Sequence, residues 1–462
     1  MFTGIVMTYC KQCLEKQQKI NDLQEEIVRL KAKLRYQERT ANEGFFGSST
    51  PSSRIPIKPN NPAEHTSNRG GGKAGHKGYG RSSIEKQDAD EVKTVKVENI
   101  CPDCGCTLED KGSRTRTVMD CQPIKIKKLL YHLERKYCPR CKKVVAAKAP
   151  GVLPKCLYSN NLLTFVAVQH YIYGNTLGQI EKQTGIGYSS LVDALHQLAG
   201  ILKDVPGTLI EDYRSALVKH ADETGWRTDG QNGYSWLFCT SKTSIYRFRR
   251  SRSASVAKEV FGDKPSPGVL VVDRYNGYNK MPSKIQYCYA HLLRDVKDLE
   301  KDFPDNPEIK AFVEALASQM ANAISLRTFD ITDRQFKKQA AKIKDAIIEI
   351  TSRQGRHPAI WKIQDIFREK SERLFHWADD RTVPADNNLA ERELRALVIA
   401  RKISFGSQSV AGAATRECLM TVLHTLKKRT PDVTTAFKSS LDKLAEHTDL
   451  DLAKSLFNLN SS

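Results

Sequence analysis

The sequence predicts an α/β multidomain protein, and three observations carry that reading. The chain has 462 residues, 40% of them hydrophobic, with 16 Tyr, 16 Phe and 4 Trp to fill cores; such a length suits about three domains. From residue 215 onward short strand-like runs (SALVKHADET, YSWLFCT, SIYRFRR, GVLVVD and IQYCYA) give way to helical periodicity. Ahead of them, a Gly/Pro/Ser-rich stretch and two CPxC turns break the chain into separate pieces. No run approaches the roughly 18 consecutive apolar residues of a membrane span, and the first 30 residues are polar and charged. These features exclude a secreted or membrane protein and place the chain in the cytoplasm.

Charge narrows the partner. Lys and Arg number 73 against 53 acids, a net +20. Residues 1–150 hold 29 basic and 17 acidic side chains, so the excess is concentrated there. Phosphate contacts supply most sequence-independent affinity for nucleic acid, which makes a polyanion the expected partner; the alternative is a basic protein whose charge aids solubility alone.

The elements follow in order. Residues 1–41 carry Ile20, Leu23, Ile27, Leu30 and Leu34 at steps of three and four among Glu, Gln, Lys and Arg. This is one apolar seam on a polar helix, which either pairs as a short coiled coil or packs on its own chain. Residues 42–84 are rich in Gly, Pro, Ser and Asn and lack apolar periodicity, so they read as a flexible basic linker. Within it Arg69, Lys73, Lys77 and Arg81 either follow a DNA backbone or belong to a solvated tether.

Residues 85–150 contain CPDC, with Cys101 and Cys104, and CPRC, with Cys138 and Cys141. Two CxxC turns can present four thiolates to one tetrahedral zinc, and alternating Val95 and Val97, then Leu129, Tyr131, Leu133 and Tyr137, lead into them as strands. The segment is therefore expected to be a DNA-binding zinc ribbon. The 33 residues between the turns exceed the usual spacing, and Cys106 and Cys121 are spare. A redox role is the competitor, but it does not account for two matching turns. Residues 151–212 read helix, Gly-containing turn, helix: Leu177 and Ile180, then Gly185 and Gly187, then Leu191, Leu195 and Leu198. That is helix-turn-helix spacing, so the region is expected either to bind DNA with its second helix in a major groove or to pack like the helix pairs common in α-rich proteins.

The carboxylates come last. Asp222 closes one strand-like run and Asp273 ends the apolar run Val269–Val272. A carboxylate at the end of a buried strand is costly unless paired or bound to a cation. Further on, DNNLAERELR sets Asn387, Asn388, Glu391 and Arg395 at steps of three and four. Three carboxylates holding two magnesium ions can activate a nucleophilic oxygen and stabilise the leaving oxygen of a phosphodiester. Position alone does not separate Asp222 from Glu223, or Glu391 from Glu393.

HADETGW, VVDRYNGY, CYAHLLRDVKDLE and VPADNNLAERELRALVIARKISFGS, in that order, resemble the insertion sequence 66 family of bacterial transposases. The FFGSSTPSSR and GGKAGHKG segments, the CPDCG and CPRC turns and the PGVLPK junction extend the likeness over residues 20 to 430. The resemblance implies a ribonuclease-H-like catalytic domain whose Asp, Asp, Glu triad falls on Asp222, Asp273 and Glu391, using Mg2+ or Mn2+. The catalytic domain would span 213–303 and 381–430, interrupted by a helical insertion at 304–380 and followed by a helical tail at 431–462. Cys288 and His291 form the CxxH that follows the second Asp in such transposases, expected to hydrogen-bond locally beside the site. Arg392, Arg395, Arg401 and Lys402 flank Glu391 and would clamp a DNA backbone.

The implied protein is a nucleoid-associated DNA transposase. It would bind double-stranded terminal repeats and target DNA, act as a homodimer or larger assembly, and work with or without small accessory proteins. A non-catalytic zinc-ribbon regulator and a purely hydrolytic nuclease are the rivals.

Overall fold

The computed structural model describes residues 124–140 and 143–457, with scattered positions between 16 and 30 and residues 87, 106 and 107. Cys101, Cys104 and Cys141 of the expected zinc site, and Arg69, Lys73, Lys77 and Arg81 of the linker, lie outside the described residues. Of two compact units, residues 50–125 and the remainder, the larger holds every regular element from residue 135 onward. The described positions between 16 and 30 are helical, and Ile20, Leu23, Ile27 and Leu30 are each about half exposed. A two-stranded hairpin, β1 (Arg135–Cys138) and β2 (Lys143–Ala146), brackets the CPRC turn.

The centre is a mixed five-stranded sheet. β3 (Val218–Thr228), β4 (Gln231–Cys239) and β5 (Ser244–Arg249) form the antiparallel meander that the three early runs imply. β6 (Val269–Val272) then pairs parallel to β3, and β7 (Lys284–Tyr287) parallel to β6. The spatial order is β5-β4-β3-β6-β7. Successive side chains point to opposite faces, and β4 shows the consequence. Leu237 and Cys239 join one core while Trp236 and Phe238 join the other.

Helices cover both faces. On the first lie α1 (Asn160–Tyr171), α2 (Leu177–Thr184), α3 (Tyr188–Ile201) and α4 (Val205–Ser215). α2 starts with a Thr176/Gln179 capping box and stops at Gly185, whose φ of 70° suits glycine. The second face is covered by α5 (Ala254–Phe261), α6 (Tyr289–Asp302), α7 (Pro307–Leu326), α8 (Asp333–Ser352) and α9 (Pro358–Glu369), with the short α10 (His376–Asp379). The chain then returns to the first face through α11 (Asn388–Ser404), α12 (Val410–Arg429), α13 (Val433–Glu446) and α14 (Leu452–Phe457).

β5 is an edge strand, and α12 seals it. The backbone N–H groups of Ser244, Tyr246 and Phe248 donate to Thr425 Oγ1, Thr421 Oγ1 and Glu417 Oε2, each at 3.0 Å. Four helical residues rise about 6.0 Å and two strand residues about 6.7 Å, so the two rows stay in step. Glu417 also takes Arg247 and Arg249 at 2.8 Å. Glu417→Ala strands the Arg247 guanidinium and one strand N–H, while Arg249 keeps its pair with Glu259. It is expected to cost about 3 kcal/mol, read as a lower urea midpoint; a change below about 0.5 kcal/mol removes this edge lock.

Candidate active site

The sheet brings Asp222 and Asp273 together. His220 on β3 is the ladder partner of Val271 on β6, so two residues further along these parallel strands Asp222 stands beside Asp273. Both fall on the sheet face that α11 covers: Asp222 is opposite Leu237 of that core, and Asp273 has the parity of Val269 and Val271. Burial pushes the Asp222 carboxyl well above the usual carboxylate range, and the negative charges of Glu223, Asp273 and Glu391 push it further. The Glu223 N–H, donating to Asp222 Oδ1 at 2.9 Å, pulls the other way. Asp273 Oδ1 accepts from Tyr275 N at 2.9 Å.

Glu391 sits in the first turn of α11. Its Oε1 lies 3.4 Å from the Arg294 guanidinium and 3.7 Å from His291 Nδ1, both on the first two turns of α6. Cys288, at the junction of β7 and α6, completes a group of three. Its sulfur, the His291 nitrogen and the Glu391 oxygen lie within 4.8 Å of one another. The Cys288 thiol is fully buried and pushed up to about 11 by burial.

One buried asparagine fixes α11 against these strands. Asn387 Nδ2 donates to Ala221 O at 2.9 Å, and its Oδ1 lies 2.9 Å from His220 Nδ1. With Nδ2 facing a carbonyl, Oδ1 must accept, so His220 carries its proton on Nδ1. Burial lowers the His220 pKa to about 4, which keeps that ring neutral. Asn387 N donates to Cys288 Sγ at 3.1 Å, and Cys288 N donates to Val272 O at 2.8 Å. Asn387 therefore ties together the segments bearing Asp222, Asp273 and Glu391.

The other acids are engaged elsewhere. Glu223 points to the opposite face, where Arg252 (2.6 Å) and the Tyr278 hydroxyl hold it. Glu393 is paired with Lys428 and accepts from Ser244 Oγ at 2.6 Å. Asp386 Oδ1 accepts from Asn388 N at 3.0 Å. Of the basic residues, Arg392, Arg395 and Lys402 are exposed. Arg401 instead reaches Gly225 O at 2.8 Å and Thr224 Oγ1 at 3.1 Å, binding α11 to β3. α3, the second helix of the 151–212 region, contains no Lys or Arg.

Among the described residues the three potential ligand atoms within 4.8 Å of one another are those of Cys288, His291 and Glu391, so Glu391 is turned toward α6, and the adjacent Asp222 and Asp273 are the donors that a hard divalent cation fits. Asp222 is a half-buried carboxylate crowded by other carboxylates, and hard oxygen donors suit magnesium or manganese. His220, Asn387, Arg252, Tyr278 and Arg294 were not singled out as site residues from the sequence. The available signals were the HAD triplet, which puts His220 on the face of Asp222, and the CxxHxxR spacing, which puts His291 and Arg294 on one side of a helix.

The fold and the site define a mixed α/β protein with an acidic centre where two parallel strands end under a helix. Residues 155–415 match the family described as "Transposase IS66 family". The chain belongs to that family. It is also 26% identical over 198 residues to "Uncharacterized protein y4jD" of Sinorhizobium fredii, a stretch covering 39% of this chain and 38% of that protein. The chain thus spans under two fifths of that relative's length. Among the described residues no helix is long and apolar enough to cross a membrane.

Proposed function

We propose that the chain cuts the ends of a bacterial insertion sequence and joins the freed 3′-hydroxyls to target DNA. The observation that supports this reading is that Asp222 and Asp273 follow the paired His220 and Val271 on neighbouring parallel strands, with the Glu391 charge acting on Asp222. The strand order β5-β4-β3-β6-β7, three antiparallel strands followed by two parallel ones, supports a ribonuclease-H-like catalytic core. Asp222, Asp273 and Glu391 would hold Mg2+ or Mn2+, which when bound activates the attacking oxygen and neutralises the leaving one.

The chain's own groups position the DNA. Arg392, next to Glu391 in the chain, and Arg395, one turn beyond it, are exposed and hold phosphates flanking the reacting bond. Asn387, His220 and Cys288 keep the three acid-bearing segments in register. The cysteine turns at 101–104 and 138–141 bind zinc in this reading and help grip the terminal repeats. The chain acts in the bacterial cytoplasm at the nucleoid, as a dimer or larger assembly on DNA.

The test is an incubation of the full chain with magnesium, labelled DNA bearing its element's terminal repeats, and a target plasmid. Nicks at the ends and joined products support the reading. Nicks without joining leave a hydrolytic nuclease, and binding without breakage leaves a regulator. Arg392→Ala and Arg395→Ala are each expected to weaken DNA binding about equally across sequences. Each should also lower the slope of log affinity against log salt by about 1. An unchanged slope places that side chain off the phosphates.

A further inference from the structure

The far end of α11 presents an aromatic side chain in an unusual way. Phe405 caps the helix in the left-handed conformation, φ 58°, and is 74% exposed. That backbone suits Gly or Asn; a phenylalanine there is strained. The surrounding loop is held rigidly. Gly406 lies so close to the β3–β4 hairpin that an added Cβ would sit 2.1 Å from Arg227 O. Ser407 N donates to Arg227 O at 2.9 Å and Ser407 O accepts from Asp229 N at 2.9 Å. The Trp226 indole N–H donates to Ser407 Oγ at 3.1 Å. A bulky apolar ring is thus displayed to solvent on a fixed ledge, at a strain that glycine would avoid.

Its neighbours combine exposed Ile399 and Ile403 on the same helix with a row of cations. Arg392, Arg395 and Lys402 are exposed along α11, and Arg227 is exposed on the hairpin beneath the ledge. None of the four has an acidic partner among the described residues. The stripe begins beside Glu391 and runs to Phe405, about 21 Å at the helical rise, or some six nucleotide steps at about 3.4 Å. Lone surface phenylalanines are ordinary. A strained one at the end of an unpaired basic stripe points to a polyanion with flat apolar faces.

We propose that Phe405 stacks on a base of the DNA that crosses α11, about six nucleotides from the bond held at Glu391. Arg227, Arg392, Arg395 and Lys402 carry the backbone on either side of it. This rests on the reading that DNA reacts at the acidic centre. Aromatic side chains gain affinity by stacking on unpaired or unstacked bases, largely without regard to sequence. The ring makes no covalent contribution.

The experiment uses the full chain in the Asp222→Asn background, so that no strand is cut, with end DNA carrying a fluorescent adenine analogue at successive positions. Phe405 and Phe405→Trp are expected to change the fluorescence at one position about six nucleotides from the cleavage site. Phe405→Gly should lose that change and bind DNA about tenfold more weakly, while melting no lower than its parent because the strain is relieved. That combination excludes misfolding as the cause. Equal binding and an unaltered fluorescence pattern in Phe405→Gly overturn the proposal. So does a drop in sedimentation coefficient without DNA, which would make Phe405 a contact between copies. Fluorescence needs no cleavage, so a failed cutting assay with intact Asp222 counts against the catalytic reading and leaves the stacking contact standing.

Discussion

Asp222→Asn, Asp273→Asn and Glu391→Gln are each expected to lower magnesium-dependent end cleavage by about a thousandfold or more, with end binding retained. The three side chains act as one unit, so each loss should be nearly complete and double substitutions should add little. Asp222 carries a second, opposite consequence. A carboxyl whose pKa is raised in the fold binds its proton more tightly folded than unfolded. Stability therefore falls as pH rises from about 3.9 through the folded value. At neutral pH, without a divalent cation, the raised carboxyl pKa means that Asp222 opposes folding. Asp222→Asn should raise the melting temperature in chelator by about 2–4 °C. Magnesium should raise that of the parent protein and leave the variant unmoved. Full cleavage by any one variant removes its residue from the reaction. A lower melting temperature for Asp222→Asn would mean that the carboxylate serves the fold through the Glu223 N–H instead.

Asn387→Ala is expected to have the next largest effect, a loss of cleavage of about 10- to 100-fold. Asn387 is fully buried, and its side chain makes two hydrogen bonds to β3, to Ala221 O and His220 Nδ1, which alanine removes, while its backbone contacts to Cys288 and Glu391 remain. Asn387→Asp keeps an acceptor for His220 but turns an oxygen toward Ala221 O, so it should do no better than alanine. Because the residue acts through the carboxylates, the metal concentration for half-maximal rate should rise and excess manganese should recover part of the activity. If instead the rate falls only in proportion to the folded fraction, with the metal requirement unchanged, Asn387 holds the fold and nothing more.

Much of this architecture was legible in the residues. The meander and the later parallel strands follow from alternating runs in 215–249 and the apolar run before Asp273, and they form as β3 to β7. The Gly185–Gly187 break falls where α2 ends and α3 begins, because a left-handed cap stops a helix. What the linear chain left open was which acid belongs to which face. Glu223 and Glu393 sit beside or near the candidate acids in sequence, and spacing alone does not reject them. In three dimensions the strand alternation turns Glu223 toward Arg252 and Tyr278, and the helical repeat turns Glu393 toward Lys428. Arg401, grouped by sequence with the DNA-clamping cations, is spent on the β3 backbone.

The helix and strand periods, the position of the breaks, the basic excess and the acid-bearing motifs that identify the family can all be read from the linear chain. These are local or compositional properties, decided by side-chain alternation, capping chemistry and charge. That Asp222 and Asp273 stand side by side, that Asn387 ties α11 to β3, and that Phe405 is held outward on a strained ledge emerge from the folded arrangement alone. Each of these depends on contacts between segments tens to more than a hundred residues apart. Register and packing, rather than local preference, set which groups meet.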